Sequence, residues 1–514
     1  MTTPVNFGAL QRPAPEWSAD RPTRIAVLGA FRGHAAATQT LAQRKPVRVE
    51  FDSIDAAMAR LQTSLTLPLG PGGSAVTLPL PSLAALHPDA LYRALDVFSA
   101  VADLRRRLND RSSFAAAAAE LRKTAGIAPP PAVPSAAPAA TAPSDDLARL
   151  LGQPIADMPK VHSGTAIEGL VQQVVAPYVL PAADPQQGAL IAAVDAALSG
   201  LMRAVLHLPD FQELEALWRG LDFLLRRIET GPDLQVHLID VSAAELATDL
   251  AGDDLSASGL YQQLVERPAQ IGGDGGDGGY ALVLAAFDFD ATAEHAQLLG
   301  RLAQVAAHAG APLVAGLGLN AAALFAQATP AVSADVAGAW QALRGLPAAS
   351  GLGLVAPRFL LRLPYGPRSD AIESFTFDEC PAGGKPEALT NALLWGHAAW
   401  LVAERLGSPA ALEGDTPDLL VDDLPLHITR DADGEPQAVP CTEQLLTTDA
   451  ATQLAQRGVM AAVARRGQTE LRLAGLFAFN GVSLTLGAHG AIEAPAPRVA
   501  VQNKGFDVGF VFKP

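Results

Sequence analysis

The sequence predicts an α/β protein in which a small α/β domain is linked to a larger α/β domain with a mixed, largely parallel sheet and packed helices. Three observations predict this class. Short apolar runs alternate with segments of helical periodicity along most of the chain. Hydrophobic residues make up 49% and charged residues 18% of the 514 residues, which is the balance of a globular protein. A stretch rich in Pro and Ala divides the chain into two parts.

The division lies at residues 126–144, where six prolines alternate with alanines. Proline has no amide donor and disfavours helix in the residue before it, so this stretch is expected to be an extended, semi-rigid linker. We therefore expect a first domain over residues 1–125 and a second over 145–450. Residues 451–514 are expected to form a divergent C-terminal tail.

In the first domain, apolar runs at residues 25–29, 47–51 and 76–80 predict three short strands. Residues 53–61 place their apolar side chains on one helical face. A longer helix is expected to begin at Pro88, and its apolar stripe should be buried against the small sheet.

The second domain begins with two amphipathic helices, in which apolar residues recur every three or four positions over 191–205 and 214–228. Apolar strands are then predicted at 234–241, 280–287 and 312–317, with helical segments between them. Strands separated by helices of this length favour right-handed crossovers and parallel pairing.

Charge and cysteine content exclude several classes of function. With 37 Lys and Arg against 53 Asp and Glu, the net charge is −16, which repels nucleic acids and anionic membrane surfaces. The two cysteines, Cys380 and Cys441, have no C-x-x-C spacing, so neither a disulfide framework nor a zinc site is expected. Neither a secretory leader nor a membrane span is predicted, and the cytoplasm is the expected location.

Two glycine-containing segments are candidates for nucleotide or cation sites. The run at residues 272–279 lacks the Lys of a phosphate-binding loop and precedes a strand, so a mobile loop is the preferred interpretation. Residues 383–385 are followed by Pro386, where a nucleotide loop needs a hydroxyl side chain. An exposed turn is preferred there.

Three further side chains, Asp422, Asp423 and His427, are metal ligands by residue type. Leu424 and Pro425 between them argue against a regular arrangement, so we favour a surface turn. The chain has no G-x-S-x-G and no H-E-x-x-H motif. We expect no catalytic residue, no cofactor and no metal.

Trp218, Arg219 and Gly220 lie near the middle of the second amphipathic helix. Glycine inside a helix costs about 1 kcal/mol relative to alanine, so another group is expected to approach the backbone closely at Gly220. Trp218 is either an interface anchor or a core tryptophan whose indole N–H is satisfied.

Several ordered motifs resemble the large subunit, TssC, of the bacterial type VI secretion contractile sheath. The first is L-H-L-P-D-F-Q-E-L-E-A-L-W-R-G-L-D-F-L at residues 206–224. It is followed by G-L-V-A-P-R-F-L-L-R-L-P-Y-G at 353–366 and F-T-F-D-E at 375–379. L-L-W-G-H-A-A-W at 393–400 and P-C-T-E at 440–443 complete the series.

The first domain is similar to the small sheath subunit, TssB. The matching motifs are I-A-V-L-G-A-F at residues 25–31, R-K-P-V-R-V at 44–49 and H-P-D-A-L at 87–91. The resemblance implies that a heterodimer usually made from two chains is joined here as a fusion protein with equal stoichiometry.

The resemblance also implies a structural role in a helical assembly whose subunits interlock by strand exchange. The implied partners are other sheath or baseplate subunits, the inner-tube protein, further copies of the chain, and a recycling AAA+ ATPase. The ATPase recognises an N-terminal helix of the large subunit, whose nearest counterpart here is internal, at residues 145–152. The motifs supply these structural or interface candidates: Trp218, Arg219, Gly220, Pro357, Arg358, Arg362, Pro364, Tyr365, Gly366 and Trp395.

Three functions remain open at this point. The chain is a sheath protomer, or a sheath-like accessory that caps, seeds or regulates assembly, or a nucleotide-binding α/β enzyme with a ligand at 272–279. The accessory alternative follows from short arms, because the leading strand is reduced to residues 5–7 and the C-terminus differs from that of the family. Candidate replacement strands lie at 499–501 and 506–512.

Overall fold

The computed structural model describes most of the two predicted domains. The linker, residues 145–152, most of the glycine run, residues 383–385 and the two candidate C-terminal strands lie outside the described residues. The described residues are 5–15, 17, 22–35, 39–69, 74–110, 112–124, 186–270, 278–381, 386–430 and 434–487.

In the described part of the chain, nine strands form one sheet in the order β11-β15-β14-β8-β7-β6-β1-β5-β2. Six consecutive strands, from β14 to β5, are parallel. The predicted α/β class with a mixed, largely parallel sheet is confirmed. The strands are β1 (Thr23–Gly29), β2 (Val47–Val49), β3 (Ser64–Leu67), β4 (Val76–Pro79), β5 (Leu234–Asp240), β6 (Leu282–Phe289), β7 (Leu313–Leu317), β8 (Leu352–Ala356), β9 (Phe359–Leu360), β10 (Trp395–Gly396), β11 (Leu420–Val421), β12 (Ile428–Arg430), β13 (Pro436–Ala438), β14 (Val459–Ala464) and β15 (Leu471–Leu473).

Helices cover both faces of this sheet. The helices are α1 (Ile54–Leu61), α2 (Pro88–Ala94), α3 (Asp96–Asn109), α4 (Phe114–Thr124), α5 (Gln186–Leu206), α6 (Pro209–Leu225), α7 (Ala243–Asp249), the helical stretch α8 (259–270), α9 (Ala293–His308), α10 (Leu319–Phe325), α11 (Ala334–Arg344), α12 (Pro386–Ala392), α13 (Ala399–Leu406), α14 (Pro409–Leu412) and α15 (Thr448–Gln456). Because side chains alternate along a strand, β1 sends Ile25 and Val27 into one core and Ala26 and Leu28 into the other.

The strands on the two sides of the linker are not separate in space. β1, from the first predicted domain, lies between β5 and β6 and pairs in parallel with both. β2 pairs antiparallel with β5 at the edge of the same sheet. Only β3 and β4 form a sheet of their own within the first domain as described. The main sheet is therefore built jointly by both halves of the chain.

Two local expectations need correction. The helix predicted from Pro88 is divided into α2 and α3, because Leu95 has extended backbone angles and caps α3. Its apolar stripe is buried mainly against other helices, α4 and α5, rather than against a small sheet. Arg105 on α3 fixes this packing by an ion pair with Asp195 on α5, with 2.5 Å between Nε and Oδ1.

The main sheet continues beyond residue 450. This position lies inside α15, and the following strands β14 and β15 pair with β8 and with each other. β14 is buried at five of its six residues. The described chain up to residue 487 therefore contributes to the main folded body.

The close approach predicted at Gly220 is present. A Cβ atom at this position would overlap the indole ring of Trp400, which lies on α13 and is fully buried. The absence of a side chain at Gly220 thus allows α6 and α13 to pack closely.

We predict that Gly220→Ala destabilises the protein by about 1 to 3 kcal/mol, because the added methyl group forces the Trp400 ring out of a packed core. Gly200→Ala is the matched control, since Gly200 is also helical and its Cβ would meet nothing within 4 Å. That change should leave stability unchanged or raise it by up to about 1 kcal/mol. Urea unfolding measures both, and equal effects would contradict the packing argument.

Candidate functional site

The second half contains a buried group of charged residues beside its contacts with the first half. α6 begins at Pro209, whose missing amide donor suits the first helical position. Its buried face carries Phe211, Leu214 and Trp218, and Glu215 lies on the same face with no exposed surface. A carboxylate at such a position requires charged or polar partners.

Arg362 supplies the main partner and joins two carboxylates. Its Nε lies 2.8 Å from Glu215 Oε1, and its Nη1 lies 2.8 Å from Glu379 Oε2. Arg219 donates to Glu215 at 2.7 Å and to the Tyr365 hydroxyl at 2.8 Å. The Tyr365 amide donates to Glu379 at 2.7 Å. We call these five residues the buried ion network; it joins α6 to the segments around 362–366 and 379.

Charge neutralisation inside the network shifts the pKa values of its members. Burial alone would raise the pKa of Glu379, but the Arg362 guanidinium and hydrogen bonds from His207 and Tyr365 lower it to about 2. Burial likewise opposes ionisation of Glu215, yet Arg362 and Arg219 hold its pKa below the ordinary value. Both carboxylates are therefore ionised, and the network is a set of fixed charges rather than a proton donor.

The first half of the chain contacts this region through His87 and Asp89. The His87 ring meets the Tyr365 ring edge to face, with 5.1 Å between centroids. Asp89 accepts hydrogen bonds from the Ser374 hydroxyl at 2.5 Å and from the amides of Ser374 and Glu373 at 3.0 Å. These contacts join the H-P-D-A-L motif to the segment between two motifs of the second half.

A second set of seam contacts lies near the carboxyl ends of β1 and β5. The Trp218 indole N–H donates to the carbonyl of Phe31 at 3.1 Å, and the two rings pack edge to face. Arg44 forms a bidentate ion pair with Glu245, with 2.8 Å between Nη1 and Oε2 and 2.5 Å between Nη2 and Oε1. Its Nη1 also donates to the Asp240 carbonyl at 2.7 Å. Trp218 is thus a buried tryptophan with a satisfied indole that joins the two halves.

The remaining candidate residues lie in the second half and make contacts within it. Arg358 pairs with Glu443 of the P-C-T-E motif, with 2.6 Å between Nη2 and Oε1. The peptide before Pro357 is cis. The Pro364 carbonyl accepts from the Ser369 hydroxyl, and the Gly366 amide donates to the Asp370 carbonyl at 2.9 Å. The buried Trp395 donates its indole N–H to the Thr390 carbonyl at 2.7 Å.

Sequence reasoning brought Arg219, Arg362 and Tyr365 together in one candidate set but omitted both carboxylates. Glu215 carried a usable signal, because it falls within the apolar stripe of α6 and four residues before Arg219. Glu379 stands in the F-T-F-D-E motif but does not reveal its partner by spacing, since Arg362 is 17 residues away.

The described residues offer little support for a metal or a membrane site. Among them, no group of three or more His, Cys, Asp or Glu side chains is placed to hold a metal ion. Asp422 and Asp423 are exposed, and the Asp423 carbonyl accepts from Arg227 at 3.0 Å. One described helix, Gln187–Leu206, is long and apolar enough to span a membrane by length and composition, and 56% of its apolar window is buried.

Comparison with known proteins assigns both halves. Residues 188–478, more than half of the chain, match the family of the VipB (EvpB) tail sheath N-terminal domain. The chain belongs to the type VI secretion tail sheath family. Residues 16–125 match the VipA family of the type VI secretion system. VipA and VipB correspond to the small and large sheath subunits TssB and TssC, so the predicted fusion of the two is confirmed.

A curated relative agrees with this assignment. The type VI secretion system sheath protein TssC1 of Pseudomonas aeruginosa is 28% identical over 290 residues. The match covers 53% of this chain and 57% of that protein. The chain therefore spans little more than half the length of this relative.

We predict that Arg362→Ala lowers the free energy of unfolding by about 3 to 5 kcal/mol, because it leaves Glu215 and Glu379 buried without their shared cation. Arg106→Ala is the control, since Arg106 forms a helical pair with Asp103 and its side chain is 79% exposed. That substitution should lower the free energy of unfolding by less than about 1 kcal/mol. Chemical denaturation compares them, and similar losses would show that the network contributes no more than a surface pair.

The pKa of Glu379 predicts a defined acid dependence. Its value falls from the ordinary 4.5 to about 2 on folding, so its contribution is fully present above pH 4.5 and is lost as the pH falls toward 2. The stability difference between wild type and Glu379→Gln should be about 3 kcal/mol at pH 7 and should shrink across this window. Glu229→Gln, an exposed control, should show no such trend. A pH-independent difference for Glu379→Gln would contradict the assignment.

Proposed function

We propose that this protein is a structural component of a type VI secretion apparatus and acts as a single-chain sheath protomer. The observation that carries this proposal is the position of β1. This strand belongs to the segment that matches the small subunit, and it is paired on both sides by strands of the segment that matches the large subunit.

The seam contacts support a docking role for the family motifs. The motifs at 44–49 and 87–91 contact the second half through Arg44 and Asp89, and the motifs of the second half meet in the buried ion network. We propose that these residues hold the two subunit-like halves together and that the protein has no catalytic activity. The tether raises the effective concentration of one half for the other to the millimolar range.

The proposed partners are other sheath or baseplate subunits, the inner-tube protein and further copies of this chain, in the cytoplasm. A recycling AAA+ ATPase is retained as a candidate partner. The net charge of −16 supports protein partners over nucleic acid or an anionic membrane.

One observation favours the accessory role as a second candidate. Residues 5–10 of the N-terminal segment lie against the folded body of the same chain. The Asn6 carbonyl accepts from Gln297 at 2.6 Å and from Arg301 at 3.0 Å, both on α9. The Phe7 ring occupies the space beside Gly300, where a Cβ atom would overlap it. An arm held in this way is not free to link a neighbouring subunit.

Electron microscopy of the purified chain, alone and with its co-expressed apparatus, distinguishes the two roles. A protomer should form long tubes, whereas an accessory should form monomers or small oligomers that bind the ends of preassembled sheath. Arg362→Ala should reduce the yield of tubes because it disrupts the buried ion network against which His87 of the first half packs, and Arg106→Ala should not. A chain that neither forms tubes nor binds sheath would contradict the structural proposal.

A further inference from the structure

A small basic pocket lies at one edge of the main sheet. It has a volume of about 220 Å³ and is found where β5 ends, beside the edge strand β2 and the end of α1. Its lining contains four basic side chains and one acidic side chain: Arg32, Arg44, Lys45, Arg60 and Asp240. Val47, Leu61 and Leu238 form an apolar part of the wall. A concave basic site in a chain of net charge −16 focuses a positive potential.

The acidic groups near the pocket do not neutralise all of its bases. Arg44 is paired with Glu245, and Arg32 Nε lies 2.9 Å from Asp240 Oδ2. Lys45 and Arg60 are exposed, and neither forms an ion pair with any residue that the structure describes. The Lys45 ammonium and the Arg60 guanidinium are therefore available to bind an anionic partner.

The floor of the pocket is held rigidly. Gln263 is fully buried, and its side-chain amide donates to the carbonyls of Leu41 at 2.5 Å and Arg44 at 2.7 Å. Arg267 donates to the Arg44 carbonyl at 2.5 Å. The segment that carries Arg44 and Lys45 is thus fixed before any partner arrives, which reduces the entropy lost on binding.

A matching acidic turn lies at the opposite edge of the sheet. Glu413, Gly414 and Asp415 follow α14 and lead toward β11, the outermost strand on that side. All three residues are exposed, and Gly414 has a φ of +86° with nothing within 4 Å of the place that a Cβ atom would occupy. In the described part of the chain neither carboxylate forms an ion pair. The turn is therefore an exposed acidic segment whose carboxylates are not neutralised by any described residue.

We propose that the basic pocket of one copy of this chain receives the acidic turn of a second copy. This inference rests on the proposed function, because it specifies a surface for self-association. The two sites differ and lie at opposite edges of one sheet, so the contact is head to tail. After each contact, one copy still has a free pocket and the other a free turn, and further copies can be added. Such a heterologous contact generates a ring or an open helical chain.

Charge and shape both favour this occupant over a small free anion. Copies with a net charge of −16 repel one another at long range, and only contacts within about 10 Å escape screening at ordinary salt. A projecting turn carries its two carboxylates together and can also cover the apolar wall of the pocket. A free phosphate ion cannot cover that wall.

Charge reversal on both sides tests the contact. The pocket variant is Lys45→Glu with Arg60→Glu, and the turn variant is Glu413→Lys with Asp415→Lys. Each alone places like charges in contact, so self-association in sedimentation should weaken on the order of tenfold or more. An equimolar mixture restores opposite charges at every contact and should recover assembly as an alternating chain. Arg368→Glu is the control, because Arg368 is exposed and has no ion-pair partner among the described residues.

The outcomes separate this inference from the proposed function. Weakened association in both variants, recovery in the mixture and no effect of Arg368→Glu would support it. Tubes from the wild type and from both variants alike would overturn the inference while leaving the sheath proposal intact. The inference would also be overturned if the mixture of the two variants failed to recover assembly. It would likewise be overturned if millimolar phosphate abolished association of the wild type while the turn variant had no effect. A wild-type chain that does not self-associate would overturn the inference and the protomer role, and it would contradict the structural proposal as a whole only if it also failed to bind sheath.

Discussion

The parallel pairing of β1 is the constraint on which the rest of the structure depends. This strand is paired with β5 along all seven of its residues and with β6 on its other side, and its side chains enter the cores on both faces. A central strand of a parallel sheet cannot be withdrawn without exposing both cores and two rows of backbone groups. The register of β1 therefore fixes how the two subunit-like halves meet, and the remaining seam contacts lie where this register places them.

The buried ion network lies within the second half beside this seam, and its main contribution is to specify one arrangement of α6 and the segments around 362–366 and 379. Burying two carboxylates and two guanidinium groups carries a desolvation cost that their attraction only offsets, so a well-packed apolar cluster would be at least as stable. An apolar cluster, however, tolerates several arrangements. Arg362 meets its hydrogen-bonding geometry only when Glu215 on α6 and Glu379 are both in place. The charged motif residues thus fix one arrangement of these segments, which accounts for their deep burial.

Local structure could be predicted from the sequence, but the arrangement of the halves could not. Periodicity located β1 and α6, and the cost of a helical glycine predicted the close approach that Trp400 makes at Gly220. The same periodicity contains no information on which strand lies beside β1, because pairing partners more than 200 residues apart leave no local pattern. The Pro-rich linker led to the prediction of two separate domains. The position of Glu215 within the apolar stripe of α6 is a signal that it needs a buried partner, but the identity of that partner required the fold.

The edges of the main sheet show how such a body can meet its neighbours. β2 has three residues and β11 has two, so each edge offers few unpaired backbone groups, as is usual where a protein avoids indiscriminate strand addition. The described edges are therefore poorly suited to recruiting another chain through backbone hydrogen bonds. Recognition at these edges therefore depends on side chains: the basic pocket lies beside β2, and the exposed acidic turn precedes β11. The difference between the two edges gives the sheet a direction, and under the proposed self-association a body with such a direction forms a ring or an open chain rather than an isologous pair.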